Sequence, residues 1–440
     1  MKKIRVAVIG AGVAGISAAV KLSLEGFEVD VFETRGFLGG RTYSFIDNKT
    51  DEEIDNGQHL LMGAYENFFK LLDILDTKKY LEFKDGMSID YIDLQGKKGK
   101  FDTSRFKGKF GLIWGFLNFG MLSNSEKSSV FKFLLKIKLF KNSTPNFTLK
   151  EYLIINNQSD NLIKVFWEPL CLATMNQDIN NVNTEIFLNV IKIIFLGSYK
   201  NAKLVFPQTG LSKLIEPAVD FIEKNSGKFR FNEKITKFII KNDKIEIMLT
   251  SVTKYNYDYY ISAIPLYSLA KVLQPELNFN TEYSTIISVY LWYENNPDIP
   301  IITAMINSNI HWIFNRRKIL SKTNNESGHL AITISSANHL DNLSNEQILD
   351  MILYELSLAY PEIRTNTLIN SKVIRDKRAT IALTNTNIDL RDLFSEDYKN
   401  LFIAGDWTNT SLPATIEGAC LSGFHTAERI INCTEKKIFD

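Results

Sequence analysis

Apolar residues in the first forty positions fall into alternating strand-like and helix-like rhythms. Residues 4–9 (Ile4, Arg5, Val6, Ala7, Val8, Ile9) form a run of the length and branching of a buried strand. The run ends in Gly10-Ala11-Gly12-Val13-Ala14-Gly15, after which Ile16, Ala18, Ala19 and Leu22 recur at helical spacing. A second apolar stretch, residues 27–32, closes on Glu33, 18 positions past the third glycine. Strand, glycine loop, helix, strand and acid in this order predict the opening of a dinucleotide-binding fold. Gly10 allows the tight turn, Gly12 lets backbone approach a pyrophosphate, and Gly15 lets the helix pack closely on the strand. The helix start around Val13 and Ala14 turns unpaired N–H groups and a positive dipole end toward the phosphates. Glu33 can accept from a ribose hydroxyl, and its charge disfavours a 2′-phosphate.

A secretory signal would also place Met1-Lys2-Lys3 before apolar sequence containing Ser17-Ala18-Ala19. Three glycines inside its supposed apolar core, and the unbroken run into Glu33, argue against it.

A matching pattern stands near the other end. Residues 400–403 read as a buried strand ending in Ala404-Gly405-Asp406, and Thr415-Ile416 open a helix running to about residue 431. Gly405 permits close approach, Asp406 can accept from a ribityl hydroxyl, and the last helix's N-terminus can stabilise the electron-rich edge of a flavin. Directly after Glu33, Arg35-Gly36-Phe37-Leu38-Gly39-Gly40-Arg41 suits a loop laid against a dinucleotide, with the Arg41 guanidinium forking onto phosphate. Two ends contributing to one site imply a discontinuous α/β Rossmann-type domain with an inserted mixed sheet-and-helix substrate domain. The expected parts are 1–95, 208–265 and 396–440 for the nucleotide domain, with 96–207 (mainly helical) and 266–395 for the substrate domain. Within them, residues 210–225 and 345–359 read as helices, and 229–240, 244–250, 257–264, 286–293, 311–315 and 329–335 as strands.

Composition narrows the class. The 440 residues are 45% hydrophobic, enough for two packed domains, and 51 basic against 50 acidic side chains mark nothing for nucleic acid. The three cysteines have no paired or metal-ligand spacing and the five histidines form no HExxH, so no metal site is expected and a reducing, cytoplasmic setting fits. No stretch reaches the roughly 20 apolar residues needed to span a bilayer.

This three-part pattern resembles the FAD-dependent amine oxidase and phytoene desaturase superfamily, which implies FAD. Finer blocks resemble the squalene-associated FAD-dependent desaturases, or hydroxysqualene dehydroxylases, within it. These are Asp55-Asn56-Gly57-Gln58-His59 with Gly63-Ala64-Tyr65, Trp167-Glu168-Pro169-Leu170-Cys171-Leu172-Ala173, Phe206-Pro207 with Gly210-Leu211-Ser212, and Val289-Tyr290-Leu291-Trp292-Tyr293. The most specific are Ala404-Gly405-Asp406-Trp407-Thr408 and Leu412-Pro413-Ala414-Thr415-Ile416-Glu417-Gly418-Ala419. The likeness runs the whole chain in order. Two departures, Gln208 after Phe206-Pro207 and the missing proline after Arg391, lie outside the cofactor motifs. The resemblance implies noncovalent FAD held by Gly10, Gly12, Val13, Ala14, Gly15, Glu33, Arg35, Gly39, Gly40, Arg41, Gly57, Gln58, Ile235 (through its backbone), Gly405, Asp406, Thr415 and Ile416.

It also implies a long isoprenoid substrate, an unidentified electron donor, and reductive dehydroxylation of hydroxysqualene to squalene. A carotenoid-type desaturase is the alternative; an amine oxidase or a silent isoprenoid-binding flavoprotein fits less well. His59, in the segment expected beside the flavin, could donate a proton to the departing hydroxyl or simply hold its loop. Trp407 could cover the flavin, wall the tunnel or only pack. Glu417 is expected to cap its own helix, and Cys171 and Cys420 read as buried small hydrophobes. Residues 110–141 interleave apolar side chains with lysines at 127, 132, 136, 138 and 141. They read either as a peripheral contact at the inner face of the membrane or as a core helix pair with one solvated face.

Overall fold

The computed structural model describes residues 3–139, 147–273, 281–320, 327–394 and 397–439, with side chains as far as residue 435. Its organising element is a five-stranded parallel sheet in the order Lys228–Arg230, Glu28–Phe32, Arg5–Ile9, Tyr259–Ser262, Leu401–Ile403. The strands come from three separated stretches of chain. Val6, Val8, Val29, Val31 and Ile261 are all fully buried, which is why these runs are almost purely apolar. The helices Val13–Leu24 and Ile416–Phe439 pack against each other on one face. Close contact is possible because Gly423 meets the Ala14 carbonyl directly. The last helix runs beyond the expected residue 431.

The second body is a seven-stranded sheet, in the order Leu368–Ile381, Tyr283–Tyr293, Gly328–Ile334, Trp312–Asn315, Ile302–Ile306, Ser88–Asp93, Lys98–Asp102. One face, carrying Val289, Leu291, Ile332 and Ile313, is covered by the helix Asn345–Ala359. That helix starts in a capping box between Ser344 and Gln347, and its bounds match the sequence expectation. The opposite face, carrying Tyr290, Trp292, Ala331, Trp312 and Phe314, joins the largest apolar cluster. The helices between residues 109 and 191 supply much of that cluster, including the fully buried Trp167.

Some expected boundaries move. The division at 95/96 falls inside a hairpin, because Ser88–Asp93 pairs with both Lys98–Asp102 and Ile302–Ile306. The division at 207/208 cuts away Leu204–Pro207, which pairs with Leu61–Met62 and Leu81–Phe83. Residues 395 and 396, at the last division, lie outside the described residues. The expected strand 229–240 is two strands in two different sheets, Lys228–Arg230 and Ile235–Lys241. The expected helix 210–225 breaks into Ser212–Ile215 and Ala218–Lys224 around Pro217, whose ring cannot continue a helix interior.

Candidate active site

The loops that leave the parallel strands at their carboxyl ends converge, which is where open α/β sheets hold ligands. The amide of Gly10 donates to the Phe32 carbonyl at 2.8 Å, and that of Gly39 donates to the Ala11 carbonyl at 2.7 Å. The two glycine loops touch, with Gly12 bridged to Gly39. A Cβ on Gly15 would lie 1.9 Å from the Gly10 carbonyl oxygen, so helix and loop meet there as closely as backbone allows. At Gly12 the nearest atom to such a Cβ is 4.0 Å away, on Gly40, so its outer side is open. Gly12 is the N-cap of the first helix and no side chain caps it. Its leading amides at Val13 and Ala14 are therefore free to receive phosphate oxygens. This cradle fits the diphosphate of a dinucleotide.

Glu33 accepts from the amides of Ala11 at 3.0 Å and Arg35 at 2.9 Å, which fixes the carboxylate at the end of its strand. Asn232, Glu233 and Arg230 run beside it through backbone bonds, and Ile235 begins the next strand, buried. Arg35 donates to the Gly40 carbonyl and lies over the Phe37 and Tyr43 rings. Arg41 and Asp406, 365 residues apart, form a 2.6 Å ion pair. Phosphate was the expected partner of the Arg41 guanidinium; here it spans Asp406 and the Ala379 carbonyl. Burial would lower the Arg41 pKa, but Asp406 more than offsets it and the net shift is upward.

Gly405 donates its amide to Ser422 Oγ, and the buried Trp407 donates Nε1–H to the Ile264 carbonyl at 3.1 Å. That bond and its apolar neighbours pack Trp407 into the largest apolar cluster. The loop behind it is held by Arg391, only 2% exposed, which donates to the carbonyls of Trp407, Thr408 and Leu412. Burial pulls the Arg391 pKa down to about 10 despite nearby Asp406 and Asp392. Thr415 takes the Gly418 amide on its hydroxyl and Ile416 opens the last helix. Glu417 does not cap its own helix. Its carboxylate accepts from both Asn67 nitrogens and from the Phe68 amide, capping the helix Glu66–Ile74 from outside.

The segment 53–59 bridges to the seven-stranded sheet. Tyr290 donates its hydroxyl to the Asp55 carbonyl at 3.0 Å, and Gly57 sits against Ser288. Arg316 donates to Gln58 Oε1 at 2.7 Å and to the Glu53 carbonyl at 3.0 Å. His59 Nδ1 is 2.6 Å from the Gly57 carbonyl, so Nδ1 carries the proton. Burial lowers the His59 pKa even though Asp55 opposes it. The ring is thus a neutral loop anchor with Nε2 as an acceptor, which favours the anchoring reading over the proton-donor one. Arg316 carried no local signal in the sequence, and Tyr290 and Arg391 stood out only within a family block and as a departure, with no site role. Arg316-Arg317-Lys318 reads as a surface turn until the register of the sheet buries Arg316. Among the described residues no cluster of metal-ligating side chains occurs, and burial pushes both the Cys171 and Cys420 thiols well up.

One charged group beneath this segment sets an acid limit. Burial would raise the Glu52 pKa, but His329, whose Nδ1 lies 2.8 Å from its carboxylate, and Arg317 hold it at about 2. His329, buried and stacked on Trp292 at 4.6 Å, is lowered to about 4 chiefly by burial. Both folded values lie below the unfolded ones, so both contributions are present at neutral pH and lost on acidification. The melting temperature is expected to fall from about pH 6.5 to 4 as His329 charges, then further toward pH 2 as Glu52 protonates. In His329→Phe the first decline should flatten; an unchanged profile would remove His329 from the acid response.

Convergent glycine loops, an acid at the second strand and a second motif from the far end define a flavin oxidoreductase site. The chain belongs to the flavin containing amine oxidoreductase family, whose pattern matches residues 13–431. It is similar to the hydroxysqualene dehydroxylase of Rhodopseudomonas palustris, 28% identical over 436 residues covering 96% of this chain and 97% of the relative. It is also 25% identical to the 15-cis-phytoene desaturase of an Oncidium hybrid cultivar, over 99% of this chain and 79% of that one. An oxidoreductase structure from Methanosarcina mazei superposes with a TM-score of 0.73 at 17% identity, covering 97% of this chain and all of that one. The protein is an enzyme that works through a flavin.

Proposed function

We propose that the chain binds FAD noncovalently and, with the flavin reduced, replaces the hydroxyl of hydroxysqualene by hydride to give squalene and water. The observation that carries this reading is near-full-length similarity to three hydroxysqualene dehydroxylases at 25–28% identity. Reduced flavin supplies a hydride at N5 when bound. In the reaction the C–O bond breaks and the oxygen departs with its electron pair and a proton as water, while the carbon gains the hydride. Residues 1–95, 208–265 and 396–440 would hold the cofactor, with Ser88–Asp93 and Leu204–Pro207 reassigned as their pairing requires. The phytoene desaturase relatives support a second reading, oxidative removal of hydrogen from a hydrocarbon polyene. Product analysis with purified protein, reduced or oxidised flavin, and hydroxysqualene or phytoene separates the two.

Noncovalent binding is supported by the burial of Cys420, which also pushes its thiol pKa well up. Acid precipitation is expected to release yellow flavin into the supernatant, and Asp406→Ala to lower flavin occupancy. Colour kept on the pellet, or a fully loaded variant, would contradict these assignments.

The protein would work in the cytoplasm against the inner membrane face, through the helices Lys109–Asn118 and Asn124–Leu139. Phe110 (75% exposed), Ile113 and Leu117 stand outward on the first helix, and Leu135 and Leu139 on the second. Val130, Phe133 and Ile137 face the core. Phe140 and Lys141 lie outside the described residues. No helix among the described residues is long and apolar enough to cross a membrane. Exposed apolar rows beside lysines suit a bilayer interface. Replacing Lys132, Lys136 and Lys138 with Glu should weaken sedimentation with anionic liposomes at unchanged flavin content. Equal sedimentation would favour a solvated face instead.

A further inference from the structure

The sheet face turned toward Gly57 carries His329, Asn370 and Lys372 beside Trp292 and Tyr290, and a separate polar row further along the strands. Side chains alternate between faces along a strand. Tyr290, Ala331, Trp312, Phe314 and Ala304 share the face that joins the large aromatic cluster, and Thr333 falls on it by alternation from Ala331. Ser288 pairs with Thr333, and Thr333 pairs with Trp312, so the three stand side by side across neighbouring strands. A Cβ on Gly57 would lie 2.8 Å from Ser288 Oγ, which puts the row directly beneath the segment that reaches toward the glycine loops.

Trp312 Nε1 and Thr333 Oγ1 are both buried and have no hydrogen-bond partner among the described residues. Trp312 is only 7% exposed. A buried polar group left unpaired costs about 1–3 kcal/mol, so two on adjacent strands need a reason. Asn56 Oδ1, next to Gly57 on the segment that meets Ser288, is likewise buried without a partner. Trp292 Nε1 and both His329 ring nitrogens also lack a hydrogen-bond partner, but those two rings stack on each other and His329 Nδ1 lies beside the Glu52 carboxylate.

We propose that Trp312 and Thr333 form a subsite for the hydroxyl oxygen of an alcohol substrate. The inference rests on the reading of that substrate as a hydroxylated isoprenoid and adds the residues that recognise it. An indole N–H can only donate, whereas a threonine hydroxyl donates and accepts. One alcohol oxygen can take the Trp312 proton and exchange a hydrogen bond with Thr333, satisfying both. A hydrocarbon of the same skeleton satisfies neither and leaves both desolvated, so the row selects alcohol over polyene. Ala304 and Ala331, small residues beside Trp312 and Phe314, leave this part of the face apolar for the chain of the substrate.

The test uses oxidised holoenzyme, which cannot deliver hydride, so binding is read without turnover. Flavin difference spectra are recorded while titrating hydroxysqualene and, separately, squalene. The parent should bind the alcohol at least about tenfold more tightly than the hydrocarbon. Trp312→Phe and Thr333→Val should each weaken alcohol binding and leave squalene binding and flavin content unchanged, and Thr333→Ser should keep the preference. Thr333→Val should not melt lower, because a hydroxyl with no structural partner supports nothing in the free protein; Trp312→Phe also gives up ring packing in the core, so it is judged by its unchanged squalene binding and flavin content. Equal affinity of the parent for both probes, or a preference that survives both apolar variants, would overturn the subsite. A lowered melting temperature of Thr333→Val would do the same by revealing a structural partner for its hydroxyl. Alcohol preference without dehydroxylation by reduced enzyme would sink the reaction but not the subsite; turnover with preference untouched by the variants would sink the subsite alone.

Discussion

Gly15→Ala is expected to yield protein that neither folds normally nor holds flavin, whereas Gly12→Ala should fold and lose only the flavin. The contrast comes from the space each Cβ would meet. At Gly15 it would lie 1.9 Å from the Gly10 carbonyl oxygen and 3.2 Å from Ala263 Cβ, backbone and packed strand that cannot step aside. The helix Val13–Leu24 would have to lift off the sheet, opening a core in which Ile16, Ala18, Ala19 and Leu22 are fully buried. Overpacking of that kind costs about 1–3 kcal/mol or more, and the displaced amides would no longer converge on a diphosphate. At Gly12 the nearest atom is 4.0 Å away, so the new methyl stands in the space a ligand needs and disturbs nothing else. The readouts are melting temperature and the ratio of flavin to protein absorbance. Gly12→Ala should melt within a few degrees of flavin-free parent and bind at least about tenfold less flavin, since each 1.4 kcal/mol lost is a factor of ten. A Gly15→Ala protein that purifies yellow and stable would contradict the packing described for this loop.

The parts of this molecule that were legible in the sequence are those whose physics is local. The first strand, the glycine loop and the helix after it follow one another within a few residues, so their pattern is visible without the fold. The helix Asn345–Ala359 announces itself through the Ser344 and Gln347 capping box. The strand Leu368–Ile381 gave no such signal. It is largely half-exposed, with Lys372, Arg375, Asp376, Lys377 and Arg378 along it, and it pairs only because Tyr283–Tyr293 offers its edge. Glu417 was misread for the same reason. A carboxylate in a first helical turn ordinarily caps its own helix, and only packing brings the amides of Asn67 and Phe68 within its reach.

The candidate site divides along the same line. Its glycines and acids sit at fixed offsets in loops. Tyr290 reaches it from a strand and Arg316 from the short helix Arg316–Ile319, and their meeting with the segment 53–59 depends on sheet register, which no short window of sequence carries. Arg391 stood out in the sequence only as the residue lacking a proline after it. Its hydrogen bonds to three carbonyls of the Trp407 loop give it a structural task that spacing could not reveal.

The direction of the chemistry is the second large effect. A helix N-terminus at Ile416 favours negative charge nearby, so the reduced anionic flavin should be held firmly, at some cost to its strength as a hydride donor. Loss of an allylic hydroxyl produces a cation that even a moderate donor can trap, and aromatic faces can steady such a charge. Removing hydrogen from an unactivated polyene instead needs oxidised flavin and an electron acceptor. The most direct measurement is therefore anaerobic: photoreduced holoenzyme is mixed with hydroxysqualene, and flavin absorbance and products are followed together. The expected result is squalene formed one for one with reoxidised flavin. Flavin that stays reduced with hydroxysqualene, while phytoene bleaches the oxidised enzyme, would contradict the dehydroxylase and leave the desaturase standing.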